Sequence, residues 1–286
     1  MSLREIQDVF KKELKEIYPV SEINSFFFLI AEKEFGYSKS KTLLQLDEPI
    51  PREQSIWIHE YIMRLKTHEP IQYILGETQF YGLPFIVTPA TLIPRPETEE
   101  LVDWVVSEFL HHNSELKLLD VGTGTGCIAI SLANNIPNAT VSALDISKEA
   151  LQVASRNAKT NKVKVNFIEN DILKLKSLPE MYNVIVSNPP YVRDSEKKQM
   201  QKNVLNFEPP SALFVGDDNP LVFYSKIIEL ASKYLNPNGL LFFEINEYLS
   251  KELIQLLEKE YFINIELKKD VFGKDRMIKA KLGEST

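Results

Sequence analysis

The sequence predicts an α/β protein: a mostly parallel sheet ending in one antiparallel hairpin, preceded by a small helical domain. Three observations carry that expectation. From Leu116 onward, short β-type runs alternate with helical stretches, as a sheet built from βαβ units requires. The last two candidate strands are joined only by Asp270-Val271-Phe272-Gly273-Lys274-Asp275, a hairpin loop without a helix. The first eighty residues, finally, place their apolar side chains at helical spacing.

Taken in order, Ser2 and Glu5 have the spacing of a capping box, and Leu3, Ile6, Val9, Phe10, Leu14 and Ile17 follow on one helical face. A second helix runs from near Ser21 to Gly36, with Ile23, Phe26, Phe27, Ile30 and Phe35 on its apolar side. Pro51 inside a first turn, then Ile56-Trp57-Ile58 through Leu65, marks a third. Shorter helices are expected between Lys39 and Leu46 and around Pro70–Leu75. Residues 76–96 change character: Gly76, Gly82, Pro84, Pro89, Pro94 and Pro96 punctuate β-type residues such as Phe80, Tyr81, Phe85, Ile86 and Val87, as in a hairpin-like linker. Glu97 to Leu110 resumes helical spacing.

Beyond it, strands are expected at Leu116–Val121, Thr140–Ile146, Val163–Ile168, Asn183–Ser187, Leu240–Ile245, Ile263–Leu267 and Met277–Lys281. Helices are expected at Cys127–Asn134, Lys148–Thr160, Leu221–Tyr234 and Tyr248–Glu260. The domain division that follows is 1–75 helical, 76–96 linker and 97–286 α/β. A parallel sheet with one terminal antiparallel hairpin resembles the layout of Rossmann-like methyltransferases.

Composition narrows the function classes. With 286 residues, 44% hydrophobic and 26% charged, the chain is neither disordered, collagen-like nor a disulfide-stapled mini-protein. Its longest apolar run, Phe26 to Ala31, is far short of the roughly 20 residues a membrane span needs. The start, Met1-Ser2-Leu3-Arg4-Glu5, has no basic region leading into an apolar stretch, and the single Cys127 makes no internal disulfide. A cytoplasmic location is the expectation. Residues 1–80 carry 10 basic and 13 acidic side chains and the remainder 23 and 27, so neither part looks like a module that grips nucleic acid through its phosphates.

The chemistry-bearing stretches sit at predicted strand ends. Leu118-Leu119-Asp120-Val121-Gly122-Thr123-Gly124-Thr125-Gly126 follows a strand and opens a helix, where glycines allow a tight turn and close approach of a ligand. It is neither the G-x-G-x-x-G of dinucleotide sites nor a P-loop. Asp145, at the tip of the next strand and about 20 residues on, is placed to accept both hydroxyls of an adenosine ribose, while Ser147 caps the helix that follows. Asn170-Asp171-Ile172 ends the third strand, where Asp171 is positioned to accept from an exocyclic amine and Ile172 to pack on its ring.

Asn188-Pro189-Pro190-Tyr191, directly after the apolar Val184-Ile185-Val186, is the sharpest signal. Two prolines stiffen the turn, and an asparagine oxygen and a proline carbonyl can converge on one –NH2 group. An amide or aryl amine is a poor nucleophile because its lone pair is delocalised. Holding both N–H bonds orients that nitrogen toward an electrophilic methyl, and orientation of this kind is worth roughly 7–11 kcal/mol at its limit. Tyr191 is expected to wall the flat acceptor group and a sulfonium.

Together these stretches resemble class I S-adenosylmethionine-dependent amino-methyltransferases. Pro70-Ile71-Gln72-Tyr73-Ile74-Leu75-Gly76, Phe80-Tyr81-Gly82, Leu92-Ile93-Pro94-Arg95-Pro96-Glu97-Thr98-Glu99 and Glu208-Pro209 further resemble the PrmC/HemK protein-glutamine N5-methyltransferases. That resemblance implies the glutamine of the Gly-Gly-Gln motif of class I peptide chain release factors as the substrate. It implies that Asn188 and Pro189 hold the glutamine amide, that Pro190 and Tyr191 border it, and that the 1–75 domain docks the protein substrate. Gly122, Thr123, Gly124, Thr125, Gly126, Asp145, Asp171, Ile172 and Asn188 are then the cofactor set. The family often has an aromatic residue at the place of Ile172, and commonly a glycine at the place of Asn246.

Other features have plainer readings. Glu97, Glu99 and Glu100 suit a helix's first turn, where the dipole favours acids. His59, His68, His111 and His112 show no metal-ligand spacing, and Cys127 is read as packing. Lys197 to Lys202 is expected to be solvated and mobile, with contact to the protein substrate as a second reading. Three functions remain open from the sequence: the glutamine methyltransferase, an N-methyltransferase for an exocyclic amine of adenine or guanine in DNA or rRNA, and a non-catalytic adenosyl-binding scaffold.

Overall fold

The computed structural model describes residues 1–50, 57–110 and 114–283. They form two units, one comprising the described part of Met1–Gly76 together with Gln201–Phe207, the other Glu77–Met200 and Glu208 onward.

In the first unit, α1 (Leu3–Leu14) opens with the expected capping box: the Ser2 hydroxyl accepts from the Glu5 amide, and the Glu5 carboxylate accepts from the Ser2 amide. Helix α2 (Val20–Phe35) ends at Gly36 in the left-handed conformation, and α3 (Lys39–Leu44), α4 (Trp57–Lys66) and α5 (Ile71–Leu75) follow. The periodic residues Leu3, Ile6, Phe10 and Leu14 meet Ile23, Phe27 and Ile30 in one core. Each such side chain contributes roughly 1.5–3 kcal/mol by leaving water. The expected position of Pro51 in the third helix lies outside the described residues.

The second unit begins with the hairpin β1 (Glu77–Phe80) and β2 (Leu83–Ile86), turned by Tyr81 and Gly82, both at positive φ. Helix α6 (Pro96–Phe109) has Pro96 in its first turn. The chain then alternates β3 (Leu116–Val121), α7 (Cys127–Asn135), β4 (Ala139–Asp145), α8 (Lys148–Thr160), β5 (Asn166–Glu169) and β6 (Tyr182–Ser187). After β6 come β7 (Val192–Arg193), α9 (Lys202–Phe207) and β8 (Phe214–Val215). The order then closes with α10 (Val222–Tyr234), β9 (Leu235–Glu244), α11 (Ser250–Lys259), β10 (Phe262–Lys269) and β11 (Asp275–Leu282).

Seven strands make one sheet in the order β10-β11-β9-β6-β3-β4-β5, parallel from β5 to β9, with β11 antiparallel to β9 and β10. Alternate residues serve opposite faces. Leu118, Val184, Val186 and Phe242 pack with α6 and α7, while Leu119, Ile185, Leu241 and Phe243 pack with α10 and α11. The third strand of the expected series is shorter than its sequence pattern: Val163 and Val165 precede β5 and pack onto the first cluster from the loop.

In the Lys197–Lys202 segment Lys198, Gln199, Gln201 and Lys202 are exposed, as expected of a solvated run. The chain there has regular local structure: β7 pairs with the short β8 ahead of it, and Asp194–Gln199 forms a 3-10 turn. The turn is held by Arg193 on Glu196, Ser195 on Asp217 and Lys197 on Asp194, while Lys202 opens α9. Its polar side chains pair with partners three residues away or with Asp217, which leaves no apolar period to read in the sequence. Among the described residues no helix is long and apolar enough to cross a membrane.

Candidate active site

Strand register determines what meets what. Val121 is opposite Ser187, and the Ser187 hydroxyl donates to the Val121 carbonyl at 2.6 Å. The glycine loop after β3 and Asn188 after β6 therefore leave the sheet side by side, where the strand order reverses direction. Open α/β sheets bind their ligands at such a switch point. Leu144 lies opposite Val121, which brings Asp145 to the same edge, and Asp145 pairs with Glu169, so Asn170 to Ile172 follow next in line.

A cavity of about 460 Å³ opens at this edge. Gly122, Gly124, Asp145, Asp171, Ile172, Asn188, Pro189 and Pro190 all line it, so most of the residues expected at a cofactor site converge. Gly122 and Gly124 have positive φ, and a Cβ on either would project into open space. Gly126 is different: a Cβ there would come within 2.9 Å of Ile130 Cδ1 and 3.1 Å of Ala154 Cβ, so this glycine serves the packing of α7 on α8. Thr123 and Thr125 are buried and do not line the cavity. The Thr123 hydroxyl donates to Asp120 Oδ2 at 2.6 Å, and the Thr125 carbonyl accepts from Asn157 Nδ2 at 2.9 Å.

Asp145 is held by two backbone donors, Gly124 N–H at 2.8 Å and Ser147 N–H at 2.9 Å. Burial raises its carboxyl above the ordinary range, and these donors pull the other way. Ser147 caps α8 as expected, its hydroxyl accepting from the Ala150 amide. Asp171 accepts from the Leu173 amide and pairs with Lys174 at 2.9 Å, and that pairing lowers its pKa. Ile172 is 8% exposed and offers a flat apolar wall.

A second cavity of about 50 Å³ shares Asn188 and Pro189 with the first and is lined also by Tyr191, Glu244, Arg95 and neighbours. Tyr191 lines this small cavity and not the large one. Its hydroxyl donates to Glu244 Oε1 at 2.9 Å, and burial pushes the phenol well above its ordinary pKa. Arg95 donates to Glu208 at 2.5 Å, and the second Glu208 oxygen accepts from the Ile93 amide at 3.1 Å. That pair ties the Pro-rich segment before α6 to the turn at Pro209.

Asn157, which the sequence left unassigned, and several residues read there as structural support the site. Asn157, fully buried on α8, donates to the Ile86 and Thr125 carbonyls and accepts from the Ile86 amide. It thereby pins β2 and the glycine loop together. Glu99 accepts from the Tyr81 amide and Glu100 from the Val271 amide, so these acids hold turns. Cys127 is buried, and burial pushes its thiol up to about 12, as a packing residue requires. His111 and His112 lie outside the described residues. Among the described residues no group of three His, Cys, Asp or Glu side chains is placed to hold a metal ion.

Asp120 is the unexpected titrating group. It is fully buried, Oδ2 accepts from Thr123 and from the Ala129 amide, and Oδ1 is without a partner. Burial, with a smaller contribution from the Asp145 charge, pushes its pKa up to about 7. The folded state thus holds this proton far longer than the unfolded chain, whose carboxyl releases it near 3.9. Stability from this group is complete below about pH 4 and is lost as pH rises through about 7, on the order of 4 kcal/mol in all. We expect the ligand-free protein to melt at lower temperature at pH 8 than at pH 5.5, and Asp120→Asn to flatten that slope. Equal slopes in differential scanning calorimetry of the two proteins would refute the assignment.

Known proteins agree with this geometry. Residues 5–76 match the PrmC N-terminal domain model and residues 103–207 the methyltransferase small domain model. A release factor glutamine methyltransferase of Flavobacterium psychrophilum is 51% identical over 281 residues, covering 98% of this chain and 99% of the relative. One from Bacteroides thetaiotaomicron is 42% identical over 271 residues, covering 94% and 96%. Among solved structures, a methyltransferase from Pyrococcus furiosus superposes with a TM-score of 0.54 at 19% identity, covering 72% of this chain and 91% of that one. The last likeness shows the fold; the full-length identities show more, and this chain belongs to the release factor glutamine methyltransferase family.

Proposed function

We propose that the protein transfers a methyl group from S-adenosylmethionine to the side-chain amide nitrogen of the glutamine in the Gly-Gly-Gln motif of class I release factors. One observation carries this reading: the large and the small cavity adjoin, and Asn188 and Pro189 line both. The cofactor fits the large one. Gly122 and Gly124 leave room that any Cβ would fill, Asp145 offers a fixed carboxylate for ribose hydroxyls, and Ile172 an apolar face for adenine. When bound, S-adenosylmethionine supplies a methyl group made electrophilic by its sulfonium.

The chain's own residues supply orientation. A glutamine side chain is narrow enough for the small cavity, and its amide nitrogen presents two N–H donors. The Asn188 side-chain oxygen and the Pro189 carbonyl accept them, which turns the nitrogen lone pair away from those acceptors and toward the shared wall of the cavities. Tyr191 closes the acceptor side against water. The helical N-terminal domain docks the release factor, which presents the Gly-Gly-Gln loop.

The test uses labelled S-adenosylmethionine with unmodified release factor and, separately, undermethylated nucleic acid, followed by peptide mass spectrometry. A methyl on the Gly-Gly-Gln glutamine is expected. Label in nucleic acid alone overturns the substrate assignment.

A further inference from the structure

We infer that Thr98 and Glu244 are positioning residues for methyl transfer, because they decide which end of the Asn188 side-chain amide faces the acceptor. The inference rests on the reading of Asn188 as the residue that holds the glutamine amide. An asparagine amide has an accepting oxygen and a donating nitrogen of nearly the same shape. Only one orientation serves: the acceptor nitrogen carries two N–H donors, so an oxygen must meet it. A flipped Asn188 sets donors against donors and turns the acceptor away.

The hydrogen-bond directions remove that ambiguity. The Thr98 hydroxyl donates to Glu244 Oε2 at 2.6 Å. A hydroxyl has one proton, so once it is given to the carboxylate only lone pairs are left on Thr98 Oγ1. Asn188 Nδ2 donates to that oxygen at 3.2 Å. The nitrogen end is thereby held at Thr98, and Oδ1 occupies the other end of the group. Glu244 is held in turn, since its second oxygen accepts from the Tyr191 hydroxyl. Thr98 and Glu244 are each 2% exposed, so no bulk water competes for these bonds.

Chain geometry explains why these two residues meet Asn188. Phe243 of β9 lies opposite Ser187 of β6, so Glu244 and Asn188 are the next residues on neighbouring strands. Both side chains then point toward α6, as Phe242 and Val186 do two positions earlier. Thr98 stands in the first turn of that helix and closes the gap between them. Burial raises the Glu244 carboxyl above the ordinary carboxylate range; the Thr98 and Tyr191 hydroxyls that donate to it and the Arg276 guanidinium favour its charged form, and Glu97 disfavours it.

The variants Thr98→Val and Thr98→Ser test the inference, assayed beside wild type and Asn188→Ala on release factor. Valine keeps the shape and removes the hydroxyl; serine keeps the hydroxyl. Thr98→Ser is expected to retain kcat within about threefold, and Thr98→Val to lose about 10- to 100-fold in kcat, the scale of a misaligned reactant. S-adenosylmethionine affinity, read by calorimetry, is expected to be unchanged in both. If Thr98→Val does not fold, as judged by its melting curve, Thr98→Ala carries the same expectation. Full kcat in the valine or alanine variant, or an equal loss in the serine variant, overturns the positioning role. Retained turnover in Asn188→Ala overturns the reading beneath it, which keeps the two failures apart.

Discussion

Asn188→Ala is expected to lower kcat for release factor methylation by about 100- to 1,000-fold, the range seen when one preorganised polar group is removed at a reacting centre. The reason is geometric. With Asn188 gone, the Pro189 carbonyl alone accepts from the acceptor amide, and a single hydrogen bond leaves that nitrogen free to rotate. Its delocalised lone pair is then aligned with the methyl group in only a small fraction of encounters. Cofactor affinity is expected to stay within about threefold, because Asp145, Gly122, Gly124 and Ile172, which also line the large cavity, are untouched. Steady-state kinetics by methyl incorporation, with cofactor binding measured by calorimetry, separates the two effects. Turnover near that of wild type would exclude Asn188 as the orienting group.

Asp145→Ala should reverse that pattern. Hydrogen bonds to a charged group are worth about 1.5–3 kcal/mol, so losing the carboxylate that meets the ribose should raise the Kd for S-adenosylmethionine by about 10- to 150-fold. Part of that loss comes from the protein itself, because Asp145 also accepts from the Gly124 and Ser147 amides and so shapes the glycine loop that lines the cavity. Asp145→Asn keeps one oxygen for those donors and should weaken binding less. The thermal shift produced by saturating cofactor is a direct readout, since a ligand stabilises the folded state in proportion to the logarithm of its concentration over Kd. An Asp145→Ala protein whose melting temperature rises with cofactor as wild type does would place the ribose elsewhere.

Both predictions rest on residues that were visible in the linear chain, and the reason is local. The glycine loop, Asp145 and Asn188-Pro189-Pro190-Tyr191 each follow an apolar strand directly, so strand ends found from the hydrophobic pattern also locate the site. The capping box at Ser2, the hairpin at Tyr81-Gly82 and the helix beginning at Lys148 are equally local and were legible for the same reason. Within the glycine loop the division of labour was not legible. Gly122, Gly124 and Gly126 look alike as letters, and only the neighbouring helices distinguish a glycine that opens onto the cavity from one pressed against Ile130 and Ala154.

The sequence by itself determined the α/β class, the parallel sheet with its antiparallel end, and the two loops that line the large cavity, because periodicity and turn residues act over a few neighbours. Tertiary structure decided everything that depends on pairing between distant segments. Thr98 reads as an ordinary first-turn residue and Glu244 as the end of a strand, yet they meet 146 positions apart and orient Asn188. Asp120 reads as part of a glycine motif, and only its burial gives it a pKa of about 7. Tyr191, a candidate wall for both ligands, lines only the small cavity, where strand β9 places the Glu244 carboxylate to receive its hydroxyl. Such choices follow from which buried polar group finds which partner, and a buried group's partner comes from whichever strand or helix the fold sets beside it.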